Sequence, residues 1–327
     1  MRRREFIGLV GGAAAIWPLA ARGQQPALPI IGILVAAPAL VEEKRMASFR
    51  RGLSENGYVE GRNVQLEYFH ANNQYELLAI LAADLVRRQV NVIIAPNSES
   101  AATAARAATR NIPIIFSVTE DPIKIGLVES LARPDGNATG VYFFSSELGP
   151  KRLGLLRELV PAASHFAVLV NPNNPISALG LQKIQAAAQT NELKLAVFNA
   201  TDIHQIDLAF EDLARERPGG IMFVNDPLFT SHRTRIVTLA ARHSLPAVYT
   251  TRDYPESGGL MSYATSQVEV YTQLGSYAGQ VLKGTKPTAL PVVQSTKFEL
   301  VINVQTAKSL GLEVPPSLLA RADEVIE

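Results

Sequence analysis

The chain has 327 residues, a formal net charge of +1 and no cysteine. A chain without cysteine has no disulfide, no thiolate metal site and no cysteine nucleophile, and a charge this close to zero gives no electrostatic basis for binding nucleic acid or anionic lipid. With 47% hydrophobic and 19% charged residues, the chain has the composition of a globular protein and the length of two lobes of ~150 residues each.

Residues 1–23 have the composition of an export signal. Arginines at positions 2 to 4 precede an apolar span over 6–20, and Ala21-Arg22-Gly23 then supplies a small-x-small cleavage sequence. The apolar span is shorter than the ~20 residues that a bilayer crossing needs, and no cysteine is present to carry a lipid anchor. We therefore predict a cleaved signal peptide over 1–23 and a periplasmic protein.

The N-terminal segment is compatible with two export routes. The segment from Arg3 to Ile7 resembles the core of a twin-arginine signal, but a basic start also serves the Sec route. Cleavage after Gly23 removes four arginines and one glutamate, which changes the formal charge from +1 to −2. The mature protein is then mildly acidic, and we expect no nucleic-acid partner.

From residue 29 onward, apolar runs of strand length alternate with segments of helical periodicity. The predicted strands are 29–36, 63–69, 92–95, 112–118, 139–144, 165–170, 193–198, 220–224, 246–250, 260–263 and 298–304. The predicted helices are 41–58, 74–88, 98–111, 150–160, 176–191, 203–216, 229–243 and 267–283. Such alternation is typical of parallel sheets with right-handed crossovers, so we predict an α/β protein with two doubly wound parallel-sheet lobes.

Two stretches with a similar organisation, 90–122 and 219–255, indicate where a ligand binds. In each, an apolar strand ends in polar residues, a helix follows, and a second strand ends in another polar corner. Ligands of open parallel sheets bind beyond the carboxyl ends of the strands, where helix N-termini offer backbone N–H groups. We expect the two stretches to face each other across a cleft.

Three of the polar corners place an Asx residue before proline: Asp121-Pro122, Asn171-Pro172 and Asp226-Pro227. Helix N-termini at 98, 122 and 227 are predicted to hold an anionic ligand group, and Asp121 or Asp226 is predicted to pair with an amine. An Asx residue before proline is also a common helix N-cap, so capping alone is the alternative for each of them.

Tyrosines and one arginine near these corners complete the predicted site. Tyr142 and Tyr249 lie at strand ends, where a ring with a hydroxyl group suits the wall of a cleft. Arg252 follows the strand of Tyr249 and is predicted to clamp a carboxylate, with a solvated loop charge as the alternative. The predicted ligand-binding residues are Ala37, Asn97, Ser98, Ser100, Thr119, Asp121, Tyr142, Asn171, Asn225, Asp226, Tyr249 and Arg252.

The motifs of common enzymes are missing from the sequence. It contains no GxGxxG, GxxxxGK[ST], GxSxG or HExxH, and its five histidines are scattered. We therefore predict no catalytic residue, no metal and no cofactor. An α/β hydrolase that uses Asp121 and Asp226 is the alternative. A transcriptional regulator with a similar core is disfavoured, because the export signal leaves no room for a helix-turn-helix before residue 29.

Several motifs together resemble those of a known family. They are Arg50-Arg51-Gly52-Leu53, Gly61-Arg62-Asn63-Val64, Gly126-Leu127-Val128, Leu131-Ala132-Arg133-Pro134, Gly258-Gly259-Leu260-Met261-Ser262-Tyr263, Phe298-Glu299-Leu300-Val301-Ile302-Asn303 and Arg321-Ala322-Asp323-Glu324. With the export signal, they make nearly the whole chain similar to the periplasmic substrate-binding proteins of ABC transporters, related to the tryptophan/tyrosine-type binding proteins.

The resemblance implies a type I periplasmic-binding fold whose lobes exchange chain segments at hinges, expected near 143–146, 251–258 and 292–297. Lobe one would then comprise 28–142 plus 259–292, and lobe two 143–258 plus 293–327. It also implies a monomeric receptor that takes a small solute, such as an amino acid or an aromatic or amide-like compound, and docks on the membrane permease of an ABC transporter.

Overall fold

A computed structural model of the protein describes residues 28–143 and 145–327. The predicted signal peptide over 1–23 lies outside the described residues. Within the described part, no helix combines the length and the apolar composition that a membrane crossing requires.

Strands and helices alternate along the described chain. The strands are β1 (Ile30–Val35), β2 (Gln65–His70), β3 (Val92–Ala95), β4 (Ile114–Val118), β5 (Ala138–Tyr142), β6 (His165–Val170), β7 (Lys194–Asn199), β8 (Ile221–Phe223), β9 (Ala247–Tyr249), β10 (Met261–Thr265), β11 (Val293–Gln294), β12 (Phe298–Asn303) and β13 (Glu324–Ile326). The helices are α1 (Ala39–Ser54), α2 (Leu78–Arg87), α3 (Glu99–Ala108), α4 (Ser145–Leu159), α5 (Ser177–Thr190), α6 (Ile203–Glu216), α7 (Pro227–Ser231), α8 (Arg233–Arg242), α9 (Asp253–Glu256), α10 (Gln267–Leu282), α11 (Val304–Ser309) and α12 (Pro316–Leu319). Short 3-10 helices span Tyr75–Leu77 and Pro287–Ala289.

The first sheet contains six strands in the order β11-β5-β4-β3-β1-β2, all paired in parallel. Helices α2 and α3 pack on one face of it, and α1 and α10 pack on the other. Every residue of β3 and β4 is therefore buried. This double coverage explains why these strands are continuous apolar runs rather than alternating ones.

The second sheet contains seven strands in the order β13-β12-β10-β9-β8-β6-β7. Its pairings are parallel except that β12 runs antiparallel to β10. Apolar clusters again lie on both faces, one built with α6 and α8 and the other with α4 and α5. The prediction of an α/β fold with two doubly wound, mostly parallel sheets is confirmed.

Helix α10 follows a strand of the second sheet but packs on the first, against α1. The two helices approach so closely that a Cβ atom added to Gly275 would lie 2.0 Å from the carbonyl oxygen of Phe49, and one added to Gly52 would lie 2.0 Å from that of Thr272. Only glycine allows this backbone contact. We therefore count α10 in the first lobe, with β1–β5, β11, α1–α3 and both 3-10 helices, and the remaining elements in the second lobe.

The division into lobes differs from the expected one at two places. The expected division puts residues 259–292 in lobe one, but β10 pairs with β9 and β12 in the second sheet. It also begins the last part of lobe two at residue 293, but β11 pairs with β5 in the first sheet. The pattern of apolar residues identifies a buried strand without showing which sheet the strand joins, and both differences follow from this.

Candidate functional site

The carboxyl ends of strands from both sheets meet at a cleft with two adjoining pockets. The residues that line the Tyr75 pocket include Tyr75, Asn97, Ser98, Glu99, Ser100, Thr119, Glu120, Arg152, Asn174, Phe223 and Asn225. The residues that line the Thr265 pocket include Ala37, Arg45, Asn97, Phe143, Arg152, Asn225, Asp226, Thr251, Thr265 and Gln267. Four residues line both pockets: Asn97, Arg152, Asn225 and Pro227.

Asn97 follows β3 and fixes the first lobe's wall of the cleft. Its φ of 50° lies in the left-handed region, which asparagine tolerates better than most residues. Its backbone N–H donates to Ser117 Oγ at 2.8 Å, and its Nδ2 donates to Gln267 Oε1 at 2.8 Å and to the Tyr271 hydroxyl at 3.1 Å. These bonds join the β3 corner to α10 and hold the start of α3 in place.

The N-terminus of α3 opens into the Tyr75 pocket. Ser98 is the N-cap residue, and its hydroxyl accepts from the N–H of Ala101. The carboxylate of Glu99 is buried and accepts from both the N–H and the hydroxyl of Thr119, each at 2.6 Å. Ser98, Ser100 and Thr119 thus form one polar wall, as predicted from their positions at strand ends.

Asp226 follows β8 and is almost fully buried. Four groups donate to its carboxylate: Asn171 Nδ2 at 3.1 Å, Asn174 Nδ2 at 2.8 Å, the N–H of Leu228 at 2.8 Å and the Tyr75 hydroxyl at 3.2 Å. Burial raises the pKa of Asp226, although these hydrogen bonds act in the opposite direction. Because each oxygen already accepts two hydrogen bonds, this carboxylate has little capacity left for a ligand amine.

Polar contacts between described residues join the lobes across the cleft. The Tyr75 hydroxyl donates to Asp226, and Asn73 Nδ2 donates to Ser231 Oγ at 3.0 Å. Arg45 on α1 forms an ion pair of 2.7 Å with Asp253 on α9. The two lobes are therefore in contact around the pockets, in a closed arrangement.

Arg152, on α4, is the most unusual charged residue of the cleft. It is 2% exposed, and burial lowers the pKa of its guanidinium to about 10. Its Nε donates to the carbonyl oxygen of Tyr263 at 2.8 Å. Its Nη2 is buried without a hydrogen-bond partner, and no described carboxylate forms an ion pair with this arginine.

Charged groups are distributed unevenly between the two pockets. Two buried acids, Glu99 and Glu120, line the Tyr75 pocket. Two buried arginines, Arg45 and Arg152, line the Thr265 pocket, where the acid Asp226 is already occupied by four donors. Arg152 lies between these regions, so a molecule with both an anionic and a cationic group fits this distribution.

The family of the protein follows from comparison with known sequences. A family described as ABC transporter substrate binding protein matches residues 31–326. The chain belongs to this family. A curated relative, the tyrosine-binding protein of Clostridioides difficile (strain R20291), is 27% identical over 286 residues, which cover 86% of this chain and 81% of the relative.

Solved structures of similar proteins share the fold. The ABC domain from Streptococcus pneumonia, solved in complex with L-Trp, is 24% identical with a TM-score of 0.82 and covers 92% of this chain and 100% of its own. The ligand-free, open structure of a substrate-binding protein with adhesive properties from Clostridium difficile is also 24% identical, with a TM-score of 0.64, and covers 91% of this chain and 99% of its own.

As an ABC transporter substrate-binding protein, the chain takes a small-molecule ligand and works with a membrane permease. Its fold is that of type I periplasmic-binding proteins, as the resemblance in the sequence implied. The alternative of a hydrolase finds no support among these matches. Among the described residues, no cluster of three or more potential ligands could hold a metal ion.

The structure brings seven of the twelve predicted site residues to the cleft of this substrate-binding protein. They are Ala37, Asn97, Ser98, Ser100, Thr119, Asn225 and Asp226. Two others bond to the protein itself. Asn171 donates to Asp226 and accepts from the N–H of Asn173, and Asp121 accepts from the N–H of Ile123 at 2.9 Å. For Asp121, the described contact fits the alternative of capping.

The two predicted tyrosines lie outside both pockets. Tyr249 is 1% exposed and stacks on Tyr254, with ring centroids 4.4 Å apart, and on Phe223 at 5.3 Å. Burial alone raises its pKa. Tyr142 lies in β5 and shares a hydrogen bond of 3.2 Å with Gln294 of β11. Tyr249 therefore packs in the core of the second lobe, and Tyr142 contacts the edge strand of the first sheet.

Arg252 is held by three carboxylates and lines neither pocket. Its guanidinium contacts Glu256 at 2.8 Å, Glu299 at 2.8 Å and Glu324 at 2.6 Å. This network joins α9, β12 and β13 at the surface of the second lobe. A guanidinium with three protein carboxylates has no free face for a ligand, so the predicted clamp does not form here.

The sequence analysis missed Arg152 and Tyr75. Arg152 lies within a helix that also carries exposed charged residues, and a helical arginine is usually a solvated one. One signal could have found it: Leu153, Leu155, Leu156 and Leu159 are buried, and position 152 falls on the same side. Tyr75 lies in a short 3-10 helix, which has no periodicity to detect.

Proposed function

We propose that this protein is an exported receptor that captures an aromatic amino acid, or a close aromatic or amide relative of one, between its two lobes. The supporting observation is the cleft itself: polar corners of both sheets enclose two pockets in which buried acids and a buried arginine lie near each other. Such a pair of charges suits the ammonium and carboxylate groups of an amino acid.

The apolar part of the ligand is proposed to contact the rings that line the pockets. Tyr75 and Phe223 line one pocket, and Phe143 lines the other. The tyrosine-binding relative and the L-Trp complex agree with an aromatic ligand.

The proposed cycle is a shift between an open and a closed arrangement of the lobes. The three polypeptide connections, after β5, before α10 and between β11 and β12, act as hinges. In the closed form the ligand is buried, and this form docks on the permease. We further propose that residues 1–23 are a cleaved signal peptide, that the receptor works as a periplasmic monomer, and that it releases its ligand chemically unchanged.

Thermal unfolding with a panel of solutes tests this proposal. The mature protein is unfolded, washed and refolded to remove any ligand carried over from expression. L-tyrosine, L-tryptophan and L-phenylalanine are compared with L-leucine, L-glutamate and glucose. A ligand at 100 times its Kd stabilises the fold by about 2.7 kcal/mol. If none of the aromatic amino acids, aromatic acids or amides raises the melting temperature, the ligand class is incorrect.

A further inference from the structure

No described carboxylate forms an ion pair with Arg152. Its guanidinium is almost completely buried, its Nε donates to the carbonyl oxygen of Tyr263, and its Nη2 donates to no described acceptor. Of the acids that line the same pockets, Asp226 accepts four hydrogen bonds and Glu99 accepts from Thr119. A buried charge without a partner strongly destabilises its surroundings, and proteins rarely contain one without a function for it.

Thr265 adds a second unsatisfied group to the same wall. Its side chain is 5% exposed, and its hydroxyl has no hydrogen-bond partner among the described residues. Thr265 ends β10, the strand whose Tyr263 carbonyl anchors Arg152. Both side chains line the Thr265 pocket. Two buried donors on adjoining elements of one pocket wall, Arg152 Nη2 and the Thr265 hydroxyl, therefore have no acceptor among the described residues.

From this geometry we infer that Arg152 and Thr265 form a carboxylate site, which receives the anionic group of the ligand where the two pockets meet. The inference deepens the proposed function and rests on it. A guanidinium fork matches the two oxygens of a carboxylate, and the threonine hydroxyl donates a further hydrogen bond. Glu99 and Glu120 line the adjoining pocket and disfavour a doubly charged group such as phosphate.

The first test compares ligands that differ only at the carboxyl group. L-tyrosine, its amide and tyramine share the ring and the amine, but only L-tyrosine has a carboxylate. Replacing one partner of a buried charge pair weakens binding by at least about thirtyfold. Titration calorimetry on the wild-type protein should show this difference. If the amide or tyramine binds within threefold of L-tyrosine, the inference fails.

Variants identify the residues. Arg152→Met should weaken L-tyrosine binding by at least about thirtyfold and leave the weak amide binding within threefold, whereas Thr265→Val should weaken L-tyrosine binding about tenfold. Without ligand, Arg152→Met should melt no lower than wild type, because an uncompensated buried charge is removed. Arg157→Met is the control, since this exposed arginine of α4 bonds only Asn191. If Arg152 has only a structural role, Arg152→Met should melt at a lower temperature than wild type and lose affinity for L-tyrosine and for its amide by the same factor. That result overturns the inference.

A third measurement separates this inference from the proposed function. Sodium acetate is compared with sodium chloride at equal ionic strength, for wild type and for Arg152→Met. If no aromatic amino acid binds but acetate protects wild type selectively, the aromatic ligand class fails and the carboxylate site stands. If aromatic amino acids bind but their affinity is the same in Arg152→Met, the carboxylate site fails and the proposed function stands. Selective protection by inorganic phosphate, with none by acetate, also overturns the carboxylate assignment.

Discussion

The hydrogen bond between Tyr75 and Asp226 joins the lobes, and its removal tests whether closure is coupled to binding. Tyr75 belongs to the first lobe and Asp226 to the second; with the lobes in contact, Asp226 is buried and Tyr75 is half-buried. Burial and the neighbouring carboxylate raise the pKa of Tyr75, so its hydroxyl keeps its proton and donates. Tyr75→Phe removes this donor and little else, because the ring is retained.

The size of the effect follows from the geometry. A hydrogen bond to a charged group stabilises by about 1.5–3 kcal/mol. The distance of 3.2 Å is long for a bond between two oxygens, so the lower end, about 1.5 kcal/mol, is appropriate. This corresponds to about a tenfold change in the equilibrium between closed and open forms. When the open form predominates without ligand, the apparent Kd rises by the same factor.

Calorimetry and small-angle scattering on Tyr75→Phe measure this change. The apparent Kd for the best ligand of the panel should rise about tenfold, and the ligand-free variant should be open, with the same radius of gyration as ligand-free wild type. Tyr58→Phe is the control, because Tyr58 packs on the first lobe's core away from the cleft. An unchanged Kd together with a lower melting temperature would show that the hydroxyl supports folding and not closure, which refutes the reasoning.

Two further predictions concern charged residues. Arg252→Met should lower the free energy of unfolding by about 1 kcal/mol in urea titrations, because partly exposed ion pairs contribute little. The Kd for the ligand should not change. Weaker ligand binding without a loss of stability would contradict the placement of Arg252 outside the cleft. Burial acts to raise the pKa of Asp253, but Arg45 and Thr251 lower it by more than burial raises it. The pKa of this carboxyl group is therefore below its ordinary value of 3.8. The stability from this pair is therefore fully present above about pH 4 and is lost as the pH falls through the lower folded pKa. The difference in melting temperature between wild type and Asp253→Asn should shrink from pH 6 to pH 3, and a constant difference would contradict the assignment.

Most of the fold could be predicted because burial on both faces of a sheet leaves a direct trace in the sequence. The runs at 92–95 and 166–170 are uninterrupted apolar segments, and both lie in interior strands of their sheets. The assignment of β10 could not be predicted in the same way. Its residues have the same apolar character whichever sheet they join, and its pairing with β9 and β12 depends on contacts distant in sequence.

Residues of the site could be predicted where their position at the end of a strand is enough to bring them to the cleft. They could not be predicted where the direction of the side chain determines whether it reaches the cleft. Ser98, Thr119 and Asn225 follow strands, so the topology alone brings them to the cleft. Tyr249 also ends a strand, but its ring turns into an aromatic stack. Whether Arg152 or Arg252 faces the ligand depends on which of them has protein carboxylates nearby, and this appears only in three dimensions.

The role of Asp226 follows from combining these observations. As an N-cap it fixes α7, and through Asn171 and Asn174 it organises the second lobe's wall of the cleft. Its fourth donor, Tyr75, comes from the opposite lobe, so the same carboxylate gains a partner only when the lobes close. Closure therefore adds a hydrogen bond to Asp226, and in this closed arrangement Arg152 is buried without a described partner for its Nη2. A ligand that supplies a carboxylate to Arg152 gives this guanidinium the partner it lacks, and it shifts the lobes toward closure to the extent that it binds the closed form more tightly than the open form.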